Sequence, residues 1–401
     1  MNIKNPSEYI SGILQVLASD KKRIGFLCGS GTSFASKHQG NLYVPNINEL
    51  TDNVLEAIKT GENQLVFNAL ESIVSEISNP NIETILDLIE KKIEAVGADK
   101  LNNLSKEGLT NLLGLLKSKI FDSVSVITLE TSEEEIAKLP HNDFAKWIKK
   151  TDRKYPIEIF TTNYDYFFES AFELNEIPYY DGFTGSLSPF FNTLSVEDIN
   201  YLPKETKLWK IHGSLGWKVH NKKVVRCKTD PKNKELLIYP SSLKYSNSKK
   251  MPYIALVDRL CNFLEQEDSI LIIIGYSFGD EHINERIITT IKKSRNSHVF
   301  AFIYDEVIYE NECTYFLEND TRFKDLADQS SRISFIGMQG AFIGGIFYKW
   351  YFDSEKLEST NDFSKYIKVK EDNTFEKLLL PDFITFTQFI SSMISEANVG
   401  E

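Results

Sequence analysis

The chain has 401 residues and a mass of 46.0 kDa, is 42% hydrophobic and 25% charged, and carries a formal net charge of −12 with a pI of about 5.2. Such an apolar fraction can bury a core, and 20 Gly with 12 Pro exclude collagen-like or linker composition, so disorder is not expected. No run reaches the roughly 18 apolar residues of a membrane span, MNIKNPSEYI lacks the apolar segment of a secretory signal, and Cys28, Cys227, Cys261 and Cys313 are too scattered for a disulfide framework or a CxxC metal site; a soluble cytoplasmic protein is the expectation.

From the N-terminus, Ile10, Ile13, Leu14 and Leu17 recur at helical spacing. RIGFLC (23–28) is a short apolar run ending in Gly29-Ser30-Gly31-Thr32-Ser33, which reads as strand, glycine turn and helix start. Residues 50–152 carry helical stripes, Leu65 to Ile77, Ile82 to Ile93 and Leu101 to Ile120, with Asn79-Pro80 marking one join. They predict a helical insertion. Strand signals return in PIEIFTTNYD (156–165), SILIIIGYS (269–277), HVFAFIYD (298–305) and RISFIG (332–337). The unbroken β-branched run at 269–274 suits a parallel strand buried on both faces. Strands alternating with helical segments predict a parallel α/β sheet, with ligands at the carboxyl ends of its strands. AFIGGIFYKWYF (341–352) is aromatic-rich and too short to span a bilayer; it fits core or a protein interface. LLLPDFITFTQFISSMI (378–394) reads as a closing helix.

Charge is unevenly spread. Lys204–Lys250 holds thirteen Lys and Arg against three Asp and Glu. Such a stretch can be a solvated surface hairpin, or it can meet phosphates, a nucleic acid or an acidic partner.

Four short segments could carry chemistry, each with a structural alternative. Gly29–Ser33 could let backbone N–H groups approach a phosphate, or be a plain strand-to-helix turn. It is neither G-x-G-x-x-G nor a P-loop. Thr161-Thr162-Asn163-Tyr164-Asp165 puts an amide and a carboxylate at a sheet edge, or caps the helix of FFESAFEL. His212, in KIHGS, is the best candidate base in the chain, or a hydrogen-bonded structural histidine. Gly275-Tyr276-Ser277-Phe278-Gly279-Asp280 closes the strongest strand, where a nucleotide's ribose could rest, or is a simple turn. No two histidines have HExxH spacing.

Taken in order, GSGTS, TTNYD, KIHGS and GYSFGDEHIN resemble the sirtuin superfamily over roughly residues 20–310. Its members carry a Gly-Ala-Gly-x-Ser loop, a Thr-Gln-Asn-x-Asp segment, a His-Gly pair and a late Gly-Thr-Ser strand end. The last segment resembles the bacterial sirtuin-like proteins of anti-phage defence more than the protein deacylases. The resemblance implies an α/β fold with a Rossmann-like parallel sheet, a helical insertion and a small C-terminal extension. It implies that Gly29, Ser30, Gly31, Thr32 and Ser33 bind the NAD pyrophosphate. Asn163, Asp165 and neighbouring Thr162 would lie by the nicotinamide ribose, and His212 would be the catalytic base. Gly275, Tyr276 and Ser277 would line the adenosine side, with Tyr276 where Thr is usual. Strand position suggests that Asp305 reaches the adenosine ribose.

Two departures matter. No CxxC follows His212, so the four-cysteine zinc ribbon of the deacylases is not expected, and no zinc with it. FASKHQGNLYVP lacks the Pro-Asp-Phe-Arg piece of the sirtuin cofactor loop. The resemblance therefore implies a NAD+ hydrolase releasing nicotinamide and ADP-ribose, with NAD as substrate, acting in defence by NAD depletion. A non-catalytic NAD or ADP-ribose sensor, a deacylase and a nucleic-acid-processing subunit of an ATPase complex are the alternatives. The expected organisation is a NAD-binding domain over 1–338, with an insertion at about 50–152 and a basic module at about 181–265. Residues 339–401 form an extension that is core or an oligomer or partner surface. Implied partners are copies of the chain and a HerA-like ATPase; no membrane is expected, and nucleic acid is left open.

Overall fold

The structure is a computed structural model describing residues 2–61, 63–221, 223–226, 252–309, 312–351, 364–370 and 375–397. Ten strands form one sheet: β1 (Ile3–Lys4), β2 (Arg23–Cys28), β3 (Glu158–Thr161), β4 (Tyr179–Tyr180), β5 (Thr206–Lys210), β6 (Ser269–Ile274), β7 (His298–Phe302), β8 (Ile333–Ile336), β9 (Gly340–Ile343) and β10 (Ile346–Trp350). Their order is β1-β10-β9-β8-β7-β6-β2-β3-β5-β4. From β8 to β4 every pairing is parallel; β9 and β10 add an antiparallel hairpin and β1 closes the edge in parallel. This is the Rossmann-like α/β class expected from the sequence. The central strands β2, β3, β5 and β6 are buried almost throughout, as their continuous apolar runs require.

Helices cover both faces. Helices α1 (Pro6–Ala18), α7 (Pro140–Lys150), α8 (Phe167–Leu174) and α12 (Phe383–Ala397) share one core, built on Phe26, Trp147, Phe168 and Phe386. On the other face α9 (Tyr253–Glu265), α10 (Glu281–Lys293) and α11 (Thr321–Asp328) pack on Leu256, Leu271, Ile287 and Phe335. Between β2 and β3 the chain leaves the sheet. There α2 (Ile47–Lys59), α3 (Gln64–Val74), α4 (Ile82–Ala95), α5 (Lys106–Val124) and the short α6 (Glu133–Ala137) precede α7. The first four bury Val54, Ile73, Leu86 and Leu116 in a core of their own. Asn46, Asn63, Asn81 and Ser105 cap α2 to α5, each side chain accepting from backbone N–H groups of the first turn.

A buried fork ties the start of β3 to β5 and α9. Arg259 of α9 donates to both Glu158 carboxylate oxygens, at 2.8 and 2.9 Å, and Trp209 Nε1 donates to Glu158 at 2.7 Å. Arg259 also donates to the carbonyls of Val196 and Asp198. Removing one partner of so buried a pair costs about 3–5 kcal/mol.

Two regions take definite form. Residues 340–350, from the aromatic segment, extend the main sheet, and α12 packs on α7. Between Phe183 and Arg226, overlapping the basic stretch, a small antiparallel sheet joins Phe183–Thr184, Phe190–Phe191, Lys223–Arg226 and Trp217–His220. Cys227 and most of the Lys-rich remainder lie outside the described residues. No described helix is long and apolar enough to cross a membrane.

Candidate functional site

Register places the four motifs together. Ile274 pairs with Cys28, Cys28 with Thr161, and Thr161 with Lys210, so the last residues of β6, β2, β3 and β5 form one row across the sheet. One residue further on stand Gly275, Gly29, Thr162 and Ile211. Segments separated by more than 240 residues thus leave one sheet edge side by side. This is the carboxyl edge, where open parallel sheets bind ligands.

The loops are joined there by hydrogen bonds. Gly29 N–H donates to the Ile274 carbonyl at 3.1 Å and Gly31 N–H to the Gly275 carbonyl at 2.9 Å. A Cβ on Gly29 would lie 2.5 Å from the Gly275 oxygen, and one on Gly275 2.6 Å from Thr32 N. Gly275 also has φ +65°, a region glycine enters readily. The close approach these glycines permit is first that of the two loops to each other. Beside them Phe278 takes φ +58°, costly for a bulky residue, and is held by rings of Tyr276, Phe323 and Phe335.

Asn163 sits beneath this junction, buried. Its Nδ2 donates to Ser33 Oγ at 2.7 Å, to the Gly29 carbonyl at 3.0 Å and to Thr32 Oγ1 at 3.1 Å. Ser33 Oγ in turn donates to Asp165 Oδ2 at 2.7 Å, and Asp165 Oδ1 accepts from the Phe167 N–H at 3.1 Å. Both sequence readings of TTNYD are therefore met in part: Asp165 ties down the first turn of α8 and also reaches the glycine loop. Thr162 N–H donates to the Cys28 carbonyl. Ser30 and Ser277 are exposed at the edge, and Ser277 Oγ accepts from Gly279 N–H.

His212, two residues beyond β5, is buried, and its ring stacks on that of His282 at 6.2 Å between centroids. His282 stands in the first turn of α10, so the start of that helix lies beside the segment that follows β5. The sequence reading gave His282 no role, although it lies within the GYSFGDEHIN motif.

Two expected residues face elsewhere. The Tyr276 ring is buried in the core, and its hydroxyl donates to Asn284 Oδ1 at 3.2 Å. Only its backbone adjoins the glycine loop. Asp305 is buried on the β8 side of β7, accepting from Met338 N–H at 2.8 Å, and burial pushes its carboxyl up. Its partners lie on the opposite side of the strand from β2, which is where a structural carboxylate holding the β8–β9 turn belongs.

Lys210 and Glu169, which the sequence did not mark, stand beneath Asp165. Lys210 Nζ lies 2.9 Å from Glu169 Oε1 and donates to the Asp165 carbonyl. Burial pushes the Glu169 carboxyl up to about 7, against the pull of Lys210. Among the described residues no three His, Cys, Asp or Glu gather as a metal site.

The fold and this row of loops define an α/β protein with a ligand edge of the nucleotide-binding kind. Residues 157–323 match the SIR2-like domain family, a stretch holding three of the four motifs, with Gly29–Ser33 preceding it. The match supports the sirtuin-like resemblance and implies NAD binding and NAD-dependent chemistry in general. No curated protein matches the chain.

Proposed function

We propose that the chain is a NAD+ hydrolase that cleaves the nicotinamide N-glycosidic bond and releases nicotinamide and ADP-ribose. The observation that carries the reading is the single row from which the four loops leave, bringing an amide, a carboxylate and an imidazole to one sheet edge. Glycosyl cleavage passes through an oxocarbenium-like ribose, so the protein must hold the ribose, favour positive charge and admit water. With Nδ2 given to the glycine loop, Asn163 Oδ1 is the atom that would accept from a ribose hydroxyl or the attacking water. His212 would take that water's proton and Asp165 would favour the cationic transition state.

By resemblance alone, the reading extends to anti-phage defence by NAD depletion, to a homo-oligomer and to a HerA-like ATPase partner. Free turnover would exhaust the host's NAD, so activity in the isolated chain is expected to be low until assembly or an activator raises it.

The test measures nicotinamide release by chromatography, with and without a HerA-like ATPase. Because Asn163 also holds the loop, His212→Ala is the cleaner variant. A folded His212→Ala protein should lose about 10²–10⁴-fold in rate. Undiminished release would remove the proposal, and NAD binding without release would favour a sensor.

A further inference from the structure

A cavity of about 500 Å³ opens at the β5 end of the loop row. It is lined by the segment Ile127–Ile136, by α8, by the ends of β4 and β5 and by the small antiparallel sheet. Lys210 and Ser214, on either side of His212 in the chain, line it, but His212, Asn163 and Gly29–Ser33 do not. Its volume is that of a small-molecule site.

The lining chemistry excludes some ligands. Its two cations are both engaged, Lys210 with Glu169 at 2.9 Å and Arg226 with Asp181. Glu173 and Glu133 add two further carboxylates. A phosphate or carboxylate ligand would find neutralised cations and excess negative charge, so the cavity does not suit a dinucleotide's pyrophosphate. Tyr179 registers the field. Burial first, then Glu169, Glu173 and Asp181 together, push its phenol far up, and its hydroxyl donates to Glu173 at 3.0 Å. Glu169 Oε2 is buried with no hydrogen-bond partner among the described residues. That oxygen has no accessible surface, so among the lining acids it is Glu173 and Glu133 that face a ligand. Around these acids stand Tyr166, Trp217, Ile136 and Leu174. They offer an apolar surface to a carbon chain.

We propose that this cavity is a second ligand site of the protein, taking an alkylammonium: a primary amine on an apolar arm, its charge met by Glu173 and Glu133. The site is independent of the NAD reading.

The full chain is titrated with butylammonium and spermidine, with butanoate and butan-1-ol as anionic and neutral controls, by calorimetry and by the fluorescence of Trp217, which is assigned with Trp217→Phe. Saturable binding of the amines is expected, with neither control binding comparably. Glu173→Gln and Glu133→Gln should each weaken it about tenfold. These near-isosteric variants are checked by circular dichroism, with Asp181→Asn as a third in case one misfolds. Added NAD should leave the amine affinity unchanged. Absence of saturable binding, equal binding of butanoate or butan-1-ol, or unchanged affinity in every folded variant overturns the proposal. Displacement by NAD also overturns it, because the cavity would then be part of the dinucleotide site.

Discussion

At the ends of β2 and β3 the buried polar groups are matched to one another: the Asn163 amide nitrogen to three loop oxygens, Ser33 to Asp165, Asp165 to the first turn of α8. Four residues further along, Glu169 gives one oxygen to Lys210 and leaves the other buried without a hydrogen-bond partner among the described residues. The first arrangement handles burial by geometry, which fixes residue identity and holds loops from distant parts of the chain in one place. The second handles it by charge neutralisation and room, so that protonation or a ligand can change its state. Exchanging an amide for an acid should therefore be costly in one region and mild in the other.

His141 sharpens the contrast, because it has neither partner nor space. It is fully buried in α7 among Phe167, Phe168 and Phe383, and neither ring nitrogen has a hydrogen-bond partner among the described residues. Burial, reinforced by Lys210, lowers its pKa from 6.5 to about 3. The unfolded chain therefore binds the extra proton between those values. Stability from this group is complete above pH 6.5 and is lost as pH falls through 3, by about 5 kcal/mol in all. Urea unfolding at successive pH values should show that slope, and His141→Phe should flatten it. An unaltered slope in the variant would show that another group causes the acid sensitivity.

Asn163→Asp tests the matched region. The new carboxylate oxygen would face the Gly29 carbonyl, where an N–H now donates at 3.0 Å, and would compete with Asp165 for the single proton of Ser33. A stability loss of about 2–3 kcal/mol is expected at pH 8, where the acid must be charged or bear the cost of protonation. Wild-type stability at that pH would mean that the loop contacts do not specify an amide.

How far each region was legible in the sequence follows from the same physics. The strand Ser269–Ile274 announced itself because burial on both faces demands an unbroken apolar run. Three of the insertion helices did so because each carries an apolar stripe. The loop row was legible only as four separate motifs, since register arises from pairing and not from any local pattern. Strands of two residues, such as Phe183–Thr184, are too short to show alternation, so the small sheet was missed. Tyr276 read as a ligand contact because its position along the chain does not reveal that its ring turns inward. The cavity was invisible, because its walls come from segments that only the fold brings together.

The mildest expected effect is that of Glu169→Gln, the reciprocal exchange on the cavity side. The carboxyl is protonated up to about pH 7 in the folded protein, against 4.5 ordinarily. Here the folded state binds the extra proton. The group's contribution is complete below pH 4.5 and declines as pH rises through 7, opposite in sign to that of His141 over the shared range. The side chain keeps 14% of its surface exposed toward the cavity, and Lys210 neutralises the ionised form, so the loss should be only about 1–2 kcal/mol. Glutamine cannot titrate, so the variant should lack the decline between pH 4.5 and 7 while matching the parent near pH 5. Measuring Tm across that range in a His141→Phe background isolates it from the larger opposing slope. A variant that keeps the decline, or that loses as much stability at pH 5 as Asn163→Asp loses at pH 8, would show that Glu169 is held by geometry as tightly as Asn163 and that the two regions do not differ in kind.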